Sequence, residues 1–60
     1  MADLLTEREA AARLKIHPKT LAKLRRSGEG PPHLYVGDRV RYRAEQLETW
    51  IAYSAPEPAP

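Results

Sequence analysis

The sequence predicts a small α+β domain, mainly helical: two helices joined by a three-residue turn, then a β-hairpin, then a closing helix. Three observations carry this reading. Pro18 opens a second helical stretch only three residues after the first one ends, the spacing of a helix-turn-helix. The apolar pattern switches from helical to alternating after Gly28-Glu29-Gly30-Pro31-Pro32. Gly37-Asp38 then separates two alternating stretches as a two-residue hairpin loop of the primed type.

The elements follow in order. Thr6 with Glu9 three residues later forms a capping box, and Leu5 with Ala10 forms a hydrophobic staple, so a first helix spans Glu7 to Leu14. Ala10, Ala11 and Leu14 lie on one stripe, and the small alanines let a second helix approach closely. Pro18 sits at the first helical position of the next helix, His17 is its cap, and Gly28 ends it after Ser27. Leu34 and Val36 share one face of the hairpin's first strand; Val40 and Tyr42 share one face of its second. A final helix from about Ala44 to Tyr53 places Leu47, Trp50 and Ile51 at i, i+3 and i+4, with Trp50 as a core anchor. The domain therefore covers residues 1–53. Residues 54–60, Ser-Ala-Pro-Glu-Pro-Ala-Pro, are expected to be a disordered Pro-rich tail.

Sixty residues bound the chemistry. A chain of this size hides only about 60% of the surface that its unfolded form exposes, which leaves no room for a deep enzymatic pocket. There is no nucleophile with a base, no Gly-rich phosphate loop and no paired carboxylates, so no catalytic residue is assigned and no enzyme is expected. The chain has no cysteine, and His17 and His33 lack further ligands at metal spacing; no metal, cofactor or small-molecule ligand is expected. Neither an 18-residue apolar run nor the order of a signal peptide is present, so no membrane partner is expected and the reading is cytoplasmic.

The formal net charge of +2 conceals a charge block. Residues 13–43 carry nine cations against Glu29 and Asp38, a net of +7, while both flanks are acidic. Such a block points towards a polyanion. At about 100° per residue, with Lys19 at zero, Lys23 lies near 40° and Arg26 near 340°, opposite the stripe of Leu21 and Leu24. The second helix thus presents a ridge of Pro18, Lys19, Thr20, Ala22, Lys23 and Arg26 with the dimensions of a major-groove reader. A solvated charged face would look the same from this helix alone. The hairpin shifts the balance: alternation gathers Arg39, Arg41 and Arg43 on the face away from Val40 and Tyr42, and places Tyr35 on that arginine side. Charged edge strands usually mix signs or use lysine, whereas three arginines repel one another without an anion between them. The Gly37-Asp38 tip is small enough to enter a groove, with Asp38 a turn residue and not a contact. Few aromatics, none in a stacking pattern, make RNA the weaker ligand.

From Leu4-Leu5-Thr6 and Glu9-Ala10-Ala11, through Ile16-His17-Pro18-Lys19-Thr20-Leu21, Gly28-Glu29-Gly30-Pro31-Pro32 and Val36-Gly37-Asp38-Arg39-Val40-Arg41-Tyr42, to Leu47-Glu48-Thr49-Trp50-Ile51, the chain resembles the excisionase and MerR-like winged helix-turn-helix proteins. The resemblance implies a recognition helix (Pro18, Lys19, Thr20, Ala22, Lys23, Arg26) in the major groove of double-stranded DNA. It also implies a wing (Tyr35, Gly37, Arg39, Arg41, Arg43) on the adjacent minor groove and backbone. Two departures stand out: Lys15 occupies a turn position where relatives often have glycine, which implies a strained or locally remodelled bend, and His17 stands where serine or threonine commonly caps. The 60 residues contain no coiled-coil dimerisation helix such as full MerR regulators append, so dimerisation through one is not expected. The leading expectation is an excisionase, a recombination directionality factor from a phage or integrative element. Its copies would bind neighbouring repeats head to tail, bend the DNA and bias an integrase towards excision. A small transcriptional regulator and a protein-interaction module using the basic face are the alternatives.

Overall fold

The capping box between Thr6 and Glu9 forms in both directions. The Thr6 hydroxyl accepts from the Glu9 N–H at 3.0 Å, and a Glu9 carboxylate oxygen accepts from the Thr6 N–H at 2.9 Å. It opens helix α1, Glu7–Leu14, in the computed structural model, which describes residues 4–53. The tail expected to be disordered, residues 54–60, lies outside the described residues, as do residues 1–3.

Helix α1 ends at Lys15, which takes the left-handed conformation with φ 61° and ψ 40°. Its N–H donates to Ala12 O at 3.1 Å and the next N–H, of Ile16, to Ala11 O at 3.0 Å, the paired bonds of a Schellman ending. The turn is therefore strained as the sequence implies, because a side chain in this region costs roughly 1–2 kcal/mol. Lys15→Gly is expected to raise stability by about 1 kcal/mol, the strain relief less the entropy that glycine adds to the unfolded chain. A lower urea midpoint in that variant would contradict the assignment.

Helix α2, Pro18–Ser27, starts as expected: His17 Nδ1 accepts from the Lys19 N–H at 3.0 Å, supplying the acceptor that Ser or Thr more often provides. Gly28, with φ 81°, closes it. Among the described residues the remaining elements are strands β1 (Leu4–Thr6), β2 (Leu34–Val36) and β3 (Arg39–Arg43) and helix α3 (Ala44–Tyr53). Gly37 joins β2 to β3 with φ 68°, and Asp38 does not share its positive φ, which is the primed loop of type II′.

The sheet differs from expectation in one respect. It has three strands in the order β1-β3-β2, all neighbours antiparallel, with Leu5 opposite Tyr42 and Tyr35 opposite Val40. Strand β1 is three residues long and runs into the Thr6 cap, so it shows no alternation of its own. Its pairing makes β3 the central strand, and the edge-strand reasoning applied to its arginines does not hold.

Ala10, Ala11, Leu21, Tyr42 and Leu47 are fully buried, with Leu5, Leu14, Ile16, Val40 and Ile51 packed around them. The two alanines let α2 bring Leu21 into the centre, and Tyr42 fills the space below the sheet. Trp50 is not the core anchor expected of it: it is half-buried and outside this cluster. Leu47 and Ile51 set the inward direction of α3, and at 100° per residue Trp50 projects roughly 80° away from it. Its ring lines an open apolar groove instead, with Pro32, Gln46, Thr49 and Tyr53.

Candidate nucleic-acid interface

Helix α2 is anchored on one side by Leu21 and, less deeply, by Leu24. That anchoring turns Lys19, Thr20, Lys23 and Arg26 outward, where all four are exposed, while Pro18 and Ala22 are half-buried beside them. Leu24 also meets the bend after the helix, since a Cβ added at Gly30 would stand 3.3 Å from the Leu24 Cβ. The close approach fixes where the chain leaves α2 for the hairpin.

The sheet register sorts the hairpin residues. Arg41 lies opposite both Leu34 and Thr6, Arg43 opposite Leu4 and Arg39 opposite Val36. Cross-strand partners point to the same face, so the three arginines share the side away from Tyr42 and Val40, as alternation predicts. Arg39 and Arg43 are exposed. Arg41 is half-buried, and its guanidinium donates to Val40 O at 2.7 Å. Gly37 is exposed at the tip.

Tyr35 is not on the arginine side. It lies opposite Val40, on the face that carries Tyr42, although 57% of it remains exposed. Alternation counted along β3 alone misassigns it because the two-residue loop sets the register between the strands. The Tyr35 phenol accepts a hydrogen bond from the Arg25 guanidinium at 3.4 Å, and its ring meets His33 edge-on at 5.7 Å between centroids. Tyr35 therefore links the wing to the C-terminal end of α2 and does not extend the arginine set.

Three of the nine cations in the basic block have acidic neighbours among the described residues. Arg13 pairs with Glu48 between α1 and α3, and Arg39 stands 3.9 Å from Asp38 with both side chains largely in solvent. The third, Arg25, donates to Glu7 through Nε at 2.8 Å and through its second amino group at 3.3 Å. The Tyr42 hydroxyl donates to the same Glu7 carboxylate at 2.8 Å. The Arg25 hydrogen bond holds the Glu7 carboxyl below its ordinary range, against the opposing effect of burial, with the Tyr42 bond and the charges of Arg25 and Arg26 adding to it. Pairing with Glu7 pushes Arg25 further up, and burial together with the bond to Glu7 pushes up the Tyr42 phenol. This junction of α1, α2, β2 and β3 was not found in the sequence. A signal for it exists: on the helical wheel Arg25 lies beside Leu21 and not with Lys19, Lys23 and Arg26.

What remains is two cationic surfaces. Lys19, Lys23 and Arg26 on α2, and Arg41 and Arg43 on β3, have no carboxylate within ion-pair distance among the described residues; nor has Lys15, which stands apart from both surfaces in the turn. Cations whose charge no carboxylate balances are the ones available to neutralise phosphates.

No curated protein matches the chain significantly. The sequence pattern of the helix-turn-helix domain family matches residues 4–52, which takes in β1 through most of α3. A match over that share of the sequence, on a fold with two short helices joined by a tight turn and followed by a hairpin, shows that the chain belongs to the helix-turn-helix domain family.

Proposed function

We propose that this chain is a sequence-specific, non-catalytic DNA-binding protein of the excisionase type. Copies bind repeated sites cooperatively, bend the duplex and favour excision by an integrase. The observation that carries DNA as the ligand is the ridge of Lys19, Lys23 and Arg26, without a carboxylate partner among the described residues, on the helix that a buried Leu21 holds in place. In this reading Pro18, Thr20 and Ala22 complete the recognition surface, and Gly37, Arg39, Arg41 and Arg43 form the wing. Tyr35 steadies the wing from the α2 side. The excisionase assignment rests on the family, which includes excisionase-like DNA-binding proteins, and on size. One short helix and one hairpin bury a single-module interface, so specificity calls for several copies side by side.

Salt titration tests the electrostatic part. Five phosphate contacts, one each for Lys19, Lys23, Arg26, Arg41 and Arg43, predict that log K falls against log salt with a slope of about −4 to −5 on duplex DNA. A flat response would exclude DNA as the ligand and leave an acidic protein as the partner for the basic face. Bending and cooperativity are read separately, from the mobility of circularly permuted fragments and from binding to one, two and three tandem sites. Independent binding to unbent tandem sites would remove the excisionase assignment and leave the regulator.

Recognition and backbone roles separate in a pair of variants. Lys23→Ala is expected to relax sequence preference, with about 1–3 kcal/mol of discrimination lost at the bases it reads. Arg43→Ala is expected to weaken binding evenly across sequences and to reduce the salt slope by about 1. Competition binding against a randomised duplex pool measures both; an unaltered preference in Lys23→Ala would displace the recognition surface from α2.

A further inference from the structure

Helix α1 and its cap carry two cations that the reading above leaves without a role. Arg8 and Lys15 are exposed, and neither has a carboxylate within ion-pair distance among the described residues. At about 100° per residue, with Arg8 at zero, Ala12 lies near 40° and Lys15, at the cap, near 340°. The three follow one another along one side of the helix, a stripe roughly 10 Å long at 1.5 Å per residue, with the small, exposed Ala12 between the two charges. The acids of α1 are engaged elsewhere: Glu7 accepts from Arg25 and Tyr42, and Glu9 from the Thr6 N–H.

The packing of α1 places the stripe. Ala10, Ala11 and Leu14 face the core, centred near 250° on the same wheel, and Arg13, near 140°, marks the side towards Glu48 of α3. The stripe lies on the other side, next to α2, where the charge of Arg26 reaches the Glu7 carboxyl. Arg26 is the last cation of the α2 ridge, so the stripe continues that ridge around the flank of the domain. It is set back from the ridge, because α1 packs against the Leu21 side of α2 and packed helices stand about 8–10 Å apart. Lys15 also holds its charge at a cost: with φ 61° it occupies a position that glycine would fill without strain.

We propose that Arg8 and Lys15 bind the phosphate backbone of DNA flanking the recognition site, on a duplex that curves around the domain towards α1. The proposal rests on the DNA-binding reading above and gives the bend a cause. A straight duplex that takes the ridge into its groove, about 8.5 Å deep, passes in front of the set-back stripe. Bending costs elastic energy, and contacts that only the bent duplex makes offset it. A strand of phosphates is a linear array of like charges, and two cations in line on one side of a helix, with no anion between them, match it.

The variant that tests this combines Arg8→Gln with Lys15→Gly. Glutamine is about as good a helix former as arginine, and glycine relieves the turn, so the double variant should melt no lower than its parent. Binding is measured across a salt series on two duplexes that carry one site selected from the randomised pool. One is about 12 base pairs long, little more than a helical turn, and the other about 30. On the short duplex the two proteins are expected to agree in affinity, in sequence preference and in the slope set by ridge and wing. On the long duplex the unsubstituted protein alone should steepen by about 2, so that raising salt from about 50 to 200 mM weakens it roughly tenfold more than the variant. In circularly permuted fragments the variant should lose most of the mobility difference that reports the bend. Equal slopes for the two proteins on the long duplex would overturn the proposal, as would an unaltered bend in the variant. A loss already complete on the short duplex would place the pair at the site itself and overturn it too. A flat response at both lengths would remove DNA as the ligand and this proposal with it, a different failure from slopes of about −4 to −5 at both lengths, which sink the flanking contact alone.

Discussion

Leu21→Ala is expected to abolish the cooperative fold. Leu21 is fully buried where α2 meets Ala10 and Ala11, and it is the side chain that holds the cationic ridge of α2 outward. Truncating a fully buried leucine costs roughly 2–5 kcal/mol, and a domain of this size without a disulfide commands only about 3–5 kcal/mol in total. Two alanines on the facing helix have no side chain that could swing into the vacated volume, which places the cost in the upper part of that range. Thermal denaturation followed by circular dichroism at 222 nm checks it. The contrasting variant is Trp50→Ala, which should retain a cooperative melt and lose about 1–2 kcal/mol, since the ring is only partly buried and lies outside the core cluster. A sharp transition in Leu21→Ala together with a lost one in Trp50→Ala would mean that the core lies between α3 and the Pro31-Pro32 bend and not between α1 and α2.

That contrast marks where the sequence is legible. The helix boundaries could be read where a residue acting within one or two turns sets them: Thr6 and Glu9 at the start of α1, His17 with Pro18 at the start of α2, and Gly28 at its end. The hairpin could be read for the same reason, since Gly37 decides its loop locally. Strand β1 could not, because three residues carry no period and their partner, β3, lies more than thirty positions away. Trp50 was misplaced because an i, i+3, i+4 triplet does not say which of its members points at the core. Tyr35 was misplaced because its face depends on the register that the loop imposes across two strands.

The cationic surfaces show the same division. That Lys19, Lys23 and Arg26 share a side of α2 follows from helical period alone, and that Arg39, Arg41 and Arg43 share a side of β3 follows from strand period. Which cations are spent internally does not follow from either. Arg13, Arg25 and Arg39 look like the others in a charge count, yet Glu48, Glu7 and Asp38 stand beside them. The net of +7 over residues 13–43 therefore overstates the charge that a ligand meets, and the five cations on two faces are the better measure of the interface.

Glu7 is the residue in which these strands of reasoning meet, and Glu7→Gln is expected to cost about 2–3 kcal/mol. The change leaves the Arg25 guanidinium, whose side chain is only 16% exposed, without its counter-charge. It also exchanges the charge-assisted bond from Tyr42 for a neutral one. Because Arg25 holds the Glu7 carboxyl below its ordinary value in the folded protein, the pair's contribution is fully present above the unfolded-state value near 4.5. It is lost as pH falls through the lower folded-state value, when the carboxylate takes up a proton. Urea midpoints measured between about pH 7 and pH 3 should therefore fall in the unsubstituted protein and fall less steeply in Glu7→Gln, the two curves converging in acid. Parallel curves would show that other carboxylates govern the acid limb. Tyr35→Phe removes only the phenol that accepts from Arg25 and should leave the acid limb in place, so the pair separates the ion pair from the wing contact. If Glu7→Gln also weakens DNA binding at neutral pH under conditions where it is still fully folded, the same carboxylate that stabilises the domain sets the angle between α2 and the hairpin. No other side chain among the described residues joins the first turn of α1 to both Arg25 on α2 and Tyr42 on β3.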